Sequence, residues 1–112
     1  MELEEFELVF LRRPTDPTSY DEETLDRIQA EHLAYLSSLR AAGHVVVNGP
    51  VLDQPDESLR GLSFFRTGSV EETKRLAEND PAVKAGRLTV EVMRWWCPPG
   101  LMVARGRPLE ID

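Results

Sequence analysis

The 112 residues suit one domain, and folding at that size buries roughly two-thirds of the unfolded chain's surface, enough for a hydrophobic core without staples. A formal net charge of −7, with 41% hydrophobic and 29% charged residues, describes an ordinary globular protein that repels phosphate backbones, which argues against nucleic-acid binding. One cysteine, Cys97, excludes an internal disulfide framework, no stretch is long and apolar enough for a membrane helix, and no secretory leader opens the sequence; a cytoplasmic protein is the expectation.

The acidic residues gather at Glu2, Glu4, Glu5 and Glu7 and again at Asp21, Glu22 and Glu23, and read as a solvated surface. EEFELVFLR, residues 4–12, alternates and then runs apolar, which predicts a strand. PTDPTSY is a proline-containing loop. Ser19 and Glu22 have the spacing of a capping box, so a helix follows them, and Gly43 supplies its left-handed terminator. HVVVNGP is a second, β-branched strand stopped by Gly49 and Pro50. VLDQPDESLR is a polar connection, and GLSFFR is a third strand. Ser69 with Glu72 forms a second capping box for a short helix through Glu78, ended by Asp80 and Pro81 because a residue before proline avoids helical backbone. PAVKAG adds one turn closed by Gly86, LTVEVMRWW is the fourth strand, and the tail from Cys97 is proline- and glycine-rich and irregular.

The order strand, helix, strand, strand, helix, strand is the split βαβ pattern, which predicts an α+β, ferredoxin-like fold: an antiparallel four-stranded sheet with both helices on one face. The expected division is a domain over residues 1–96 and an extension over 97–112. Phe6, Leu8 and Phe10 share one side of the first strand while Val9 and Leu11 take the other. Val45 and Val47 lie opposite Val46, and Leu62 and Phe64 lie opposite Phe65. A sheet apolar on both sides needs a second cover, and a second copy of the chain packed sheet to sheet is the economical one, which predicts a homodimer.

Leu25, Ile28, Leu36 and Leu39 fall on one face of the first helix, and His32 stands among them. Histidine is costly to bury without a hydrogen-bond partner, so something must hold it: a backbone carbonyl in a structural role, or a carboxylate. A carboxylate on one ring nitrogen fixes the tautomer and leaves the other nitrogen to move a proton. Asp80 is a candidate for that carboxylate, although Asp before Pro is also a good N-cap, and the two roles are compatible. Gly49 and Pro50, in the NGP turn, allow backbone to approach a ligand. Arg12 and Arg13 end the first strand, either as solvated charges or as holders of an anion. Trp95 and Trp96 point to opposite faces, one into the core and one toward a cleft or dimer interface. His44 beside a helix end reads as structural, and Cys97, without an activating neighbour, does not read as a catalytic thiol. Two histidines and one cysteine without ligand spacing argue against a metal site.

The run HLAYLSSLRAAGHVVVNGPV, then GLSFF, then NDPAVKAG and TVEVMRWW, resembles the YciI-like (YCII-related) family over residues 5–96. The resemblance implies a dimeric α+β barrel whose cleft holds a His–Asp dyad, here His32 and Asp80, with no cofactor and no metal. It implies a small-molecule ligand; one branch of the family resembles a dehydrochlorinase of a chlorinated hydroxyquinol. Ala82 stands where the family carries an aromatic residue after Asp-Pro, which widens the cleft, and the PTDPTSY loop and 16-residue tail are unusual additions. The function expected is cofactor-independent proton transfer, an elimination or isomerisation on a small, aromatic or oxygenated molecule, with Gly49, Pro50, Arg12 and Trp95 around the substrate. The rival is a non-catalytic dimer that binds a small metabolite or another protein, since fold does not fix function.

Overall fold

The structure is a computed structural model that describes residues 1–111. Its elements are β1 (Glu4–Arg12), α1 (Glu22–Ala41), β2 (Val45–Pro50), β3 (Leu59–Phe65), α2 (Val70–Glu78), α3 (Pro81–Lys84) and β4 (Thr89–Cys97). The four strands form one sheet in the order β2-β3-β1-β4, every neighbouring pair antiparallel. This is the α+β, ferredoxin-like arrangement that the element order implies, with β4 carried one residue further, through Cys97. Residues 98–111 contain no helix or strand.

One face of the sheet makes the core. Val9 and Leu11 of β1, Val45 of β2 and Phe65 of β3 are buried against Leu39 of α1 and Ala77 of α2. The opposite face carries Phe6, Leu8, Phe10 and Arg12, which pair across the ladders with Trp95, Met93, Glu91 and Thr89 of β4. On that face Trp95 packs against Phe6 and Phe64, with ring centroids 6.2 and 5.2 Å apart.

Three local features depart from the sequence reading. α1 is capped by Asp21, whose side chain accepts a hydrogen bond from Thr24 N at 2.9 Å, and not by Ser19. Asp and Ser cap about equally well, so position decides: Asp21 directly precedes the first helical residue, whereas Ser19 lies too far out along the loop. At α2 only half of the capping box forms. Ser69 Oγ accepts from Glu72 N at 3.1 Å, but the Glu72 carboxylate pairs with Arg75 at 2.5 Å instead of turning back. In β2 the ladder slips by one residue, because Val45 pairs with Phe65 while Val47 pairs with Phe64. Val46 is therefore a bulge, and Val45 and Val47 occupy opposite faces where simple alternation puts them together.

Glu7 is the fourth departure: it is 1% exposed, not part of a solvated acidic surface. It follows from alternation, since Glu7 shares its side of β1 with Val9 and Leu11. Its carboxylate takes hydrogen bonds from Thr67 N (2.9 Å), Thr73 Oγ1 (2.8 Å) and Gly68 N (3.3 Å), so the β3–α2 corner folds around it. Burying a charge without such partners is prohibitive; with them the carboxylate fixes the turn at Thr67 and Gly68.

Glu7→Ala takes the shared acceptor from the buried Thr73 hydroxyl and from the Thr67 and Gly68 amides, and is expected to lower stability by about 2–4 kcal/mol, read as a shifted urea midpoint at unchanged slope. The Thr24 hydrogen bonds hold the Asp21 carboxyl below its ordinary range. Its stabilising effect is therefore complete above the unfolded carboxylate range and disappears as pH falls through the lower, folded value. The stabilities of wild type and Asp21→Ala should accordingly differ at neutral pH and converge on acidification, measured by denaturant titrations across pH.

Candidate functional site

α1 lays its apolar stripe along the sheet, with Ile28, His32 and Leu39 buried and Leu25 and Leu36 half-buried. α3 approaches this stripe at the level of His32. α3 starts where Asp80, in extended backbone, caps the turn and Pro81 occupies the first helical position, as expected from Asp-Pro chemistry. Asp80 is 1% exposed, and both of its oxygens are engaged. Oδ1 accepts from Ala82 N at 2.8 Å, and Oδ2 lies 2.7 Å from His32 Nδ1. The cap and the histidine contact therefore coexist in one side chain.

A carboxylate only accepts, so the nitrogen facing it carries the proton: Nδ1 donates to Asp80. Nε2 makes no hydrogen bond among the described residues, yet no fully buried side-chain nitrogen or oxygen there lacks a partner. Nε2 consequently opens to the cavity that His32 lines, a cleft of about 580 Å³ between α1 and the end of the sheet formed by β2 and β3. The same reasoning places the Ser63 hydroxyl, on the sheet floor, in contact with the cavity.

Gly49 and Pro50 line the cleft, as does Ala82. Arg12 and Trp95 do not. Arg12 shares the side of β1 that carries Phe6, Leu8 and Phe10, so its guanidinium points away from the helices. There it pairs with Glu91 at 2.7 Å and Asp56 at 2.9 Å and stacks over the Phe10 ring. These contacts raise the Arg12 pKa, with Glu91 the largest cause, while the Asp56 carboxyl is held low chiefly by Ser58 and secondarily by Arg12. Trp95 belongs to the Phe6–Phe64 cluster on the same outer face. Trp96 is exposed and donates from Nε1 to Glu5 at 2.8 Å.

Several cleft residues lie outside the sequence reading. The bulge at Val46 turns Asn48 inward, where its Oδ1 accepts from Arg40 Nη1 at 2.6 Å. Arg60 and Arg87 join Arg13 at the cavity wall. Counting inward from Phe65 puts Ser63 on the cleft side, a signal available in the sequence; nothing in the spacing announces Asn48 or Arg87. The PTDPTSY loop braces the corner after α3. Thr18 N donates to Gly86 O at 3.2 Å, Arg87 Nη1 donates to Thr18 O at 2.9 Å, and Tyr20 donates to Ala85 O at 2.8 Å. Gly86 has φ +76°, and a Cβ there would collide with the Thr18 side chain, so the corner requires glycine on both counts.

Among the described residues no group of three or more His, Cys, Asp or Glu is placed to hold a metal ion, and no helix is long and apolar enough to cross a membrane. An antiparallel four-stranded sheet with a cleft on its helical side and a buried His–Asp contact beneath defines a small α+β ferredoxin-like protein. The sequence pattern of the YCII-related domain matches residues 8–96, and the chain belongs to that family. Among solved structures it is similar to 5-chloro-2-hydroxyhydroquinone dehydrochlorinase (TftG) from Burkholderia phenoliruptrix, in complex with 2,5-dihydroxybenzoquinone. The two share 28% identity and a TM-score of 0.57, over 80% of this chain and 92% of the other. Among curated proteins none matches this sequence significantly.

The two functions of Asp80 are separable. Asparagine caps as well as aspartate, whereas alanine does not. Asp80→Ala is expected to lower stability by about 1–3 kcal/mol, and Asp80→Asn by distinctly less. Nitrogen-15 spectra of the His32 ring should show Nδ1 protonated in the wild type and a changed tautomer population in Asp80→Asn.

Proposed function

We propose that the chain is a cofactor-independent enzyme that moves a proton on a small, aromatic or oxygenated molecule bound in the cleft, in an elimination or isomerisation. The observation that carries this reading is the 2.7 Å contact between His32 Nδ1 and the buried Asp80 carboxylate, with Nε2 left open to the cavity. Asp80 orients the ring and stabilises the imidazolium that forms when Nε2 accepts a proton; the same nitrogen then returns it to a neighbouring atom of the substrate or to its leaving group. Gly49 and Pro50 shape the wall opposite α1. The similarity to a dehydrochlorinase, itself an elimination catalyst on a hydroxylated ring, supports the reaction class. Ala82 lines the cleft with a methyl group alone, which favours a different substrate from that enzyme's.

The functional unit is proposed to be a homodimer whose protomers pack outer face to outer face. Leu8, Phe10, Leu62, Phe64 and Met93 are only half-buried, Val47 is 47% exposed, and among the described residues no helix lies on that face. Met93→Asp, in the middle of that face, should convert a dimer to a monomer in sedimentation velocity; a wild type that sediments as a monomer overturns the proposal.

Proton transfer can be tested before the substrate is known. Candidate hydroxylated ring compounds, incubated with the protein in D2O, should exchange a carbon-bound proton, and His32→Gln should slow that exchange by about 10²–10⁴-fold with the fold intact. Compounds that bind yet exchange no faster than in buffer, with or without His32, establish the non-catalytic binder instead.

A further inference from the structure

We infer that the cleft selects an anionic ligand: a small molecule with an apolar, ring-like body and a carboxylate, held by Arg13, Arg60 and Arg87. This rests on the proposed reading of the cleft as the ligand site and adds the charge of what enters it.

The first observation is one of contrast. The chain carries 20 acidic against 13 basic side chains, yet no Asp or Glu lines the cavity wall, while four arginines and His32 do. Both lysines, Lys74 and Lys84, lie elsewhere. Four like charges around one concavity repel each other, and a protein with so many carboxylates has ample means to neutralise them. Among the described residues it does not: each ion pair there involves Arg12, Arg75, Arg94 or His32, and none involves Arg13, Arg40, Arg60 or Arg87. A cleft of one sign inside a protein of the other concentrates its field on whatever anion approaches.

The second observation is placement. Arg12 lies across from Leu59 of β3 and Thr89 of β4, so Arg13, Arg60 and Arg87 are each within two residues of one row at the same end of the sheet. Their own hydrogen bonds leave donors spare. Arg87 Nη1 is bound to Thr18 O, Arg60 Nη1 reaches Glu57 O at a long 3.4 Å, and the Arg13 guanidinium has no partner among the described residues. Arg40 is different, because it is already engaged by Asn48. A guanidinium offers planar, paired donors that match a carboxylate, which makes arginine rather than lysine the informative residue type. Leu25, Ile28, Leu36, Pro50 and Leu88 give the rest of the wall a mainly apolar lining, with Gln29, Asn48 and Ser63 its polar members, so the anion sits at one end of a body that buries largely against carbon. Nε2 of His32 faces the same cavity, which sets the proton-transfer group beside the body of a ligand anchored by its acid.

The test compares two shape-matched probes, 2,5-dihydroxybenzoate and 2,5-dihydroxybenzamide, by calorimetry and by the ring resonances of His32 in the full chain. The benzoate is expected to bind at least about tenfold more tightly, with an advantage that shrinks as salt rises. Arg13→Gln, Arg60→Gln and Arg87→Gln should each lower the benzoate-to-benzamide affinity ratio about 5- to 50-fold, Arg87→Gln being read by that ratio because the side chain also braces Thr18, and Arg12→Gln on the outer face should leave the ratio unchanged. Equal affinities, with His32 resonances moved by both probes, overturn the charge assignment and leave the proton-transfer reading standing. If neither probe moves those resonances, the cleft is not the ligand site and both readings fall. The salt dependence of the wild type decides the matter even if an arginine variant does not fold.

Discussion

One carboxylate holds the candidate site together. Asp80 is buried, and a buried carboxylate persists only when both oxygens are satisfied. Here one oxygen closes the first turn of α3 and the other takes the imidazole of α1. The two bonds couple things that are far apart in the chain: the rotamer of His32, the start of a four-residue helix, and through it the corner at Gly86. α3 is too short to be stable on its own, so its geometry depends on this cap and on the loop that braces its end. The direction of Nε2 is in that sense a consequence of how α3 is anchored.

The sheet sorts chemistry by side. Its helical face is split along its length between an apolar core near Val9, Phe65 and Ala77, the Glu7 knot under the β3–α2 corner, and the arginine-lined cleft near Gly49 and Gly61. Two buried carboxylates serve opposite ends of this face. Glu7 is closed off completely by amides and hydroxyls and has no route to a ligand, while Asp80 is separated from the cavity by one imidazole. Equal burial thus accompanies unequal chemical potential, and what distinguishes them is the identity of the donor. The hydroxyls on Glu7 pass their hydrogen bonds only to one another and to backbone of the same corner, whereas the His32 ring carries a second nitrogen beyond its bond to Asp80.

Much of this was legible in the sequence, because it follows from local rules. The four strands and their order come from β-branched and aromatic runs separated by glycine and proline, and the family resemblance followed the same segments. His32 stood out by helical phase, and the Asp-Pro dipeptide marked the cap of α3. What escaped has three separate physical causes. Asp21 displaced Ser19 as a cap because hydrogen-bond geometry, not motif spacing, decides where a helix starts. Glu7 was grouped with its acidic neighbours, although strand alternation places it under α2. The facing of Arg12 and Arg13 is likewise set by alternation: the outward residue found Asp56 and Glu91, and the inward one joined the cleft. Arg87 and Asn48 depend on tertiary detail, a braced corner and an inserted residue, that no periodicity encodes.

The inserted residue, Val46, makes β2 a strand with two parities. Before it, the odd position Val45 faces the helices; after it, the even position Asn48 does. The portion of β2 that the core constrains and the portion that the ligand cleft would constrain are thereby read in different frames. Substitutions at the Asn48–Pro50 end can then vary what the cleft presents without disturbing how Val45 packs. A strand in strict alternation would tie both demands to one rhythm: were Val46 paired with Phe64 instead of bulged, Val47 would face the cleft in place of Asn48 while Val45 stayed in the core. The kink is in effect a joint between a conserving half and an adaptable half of the same strand.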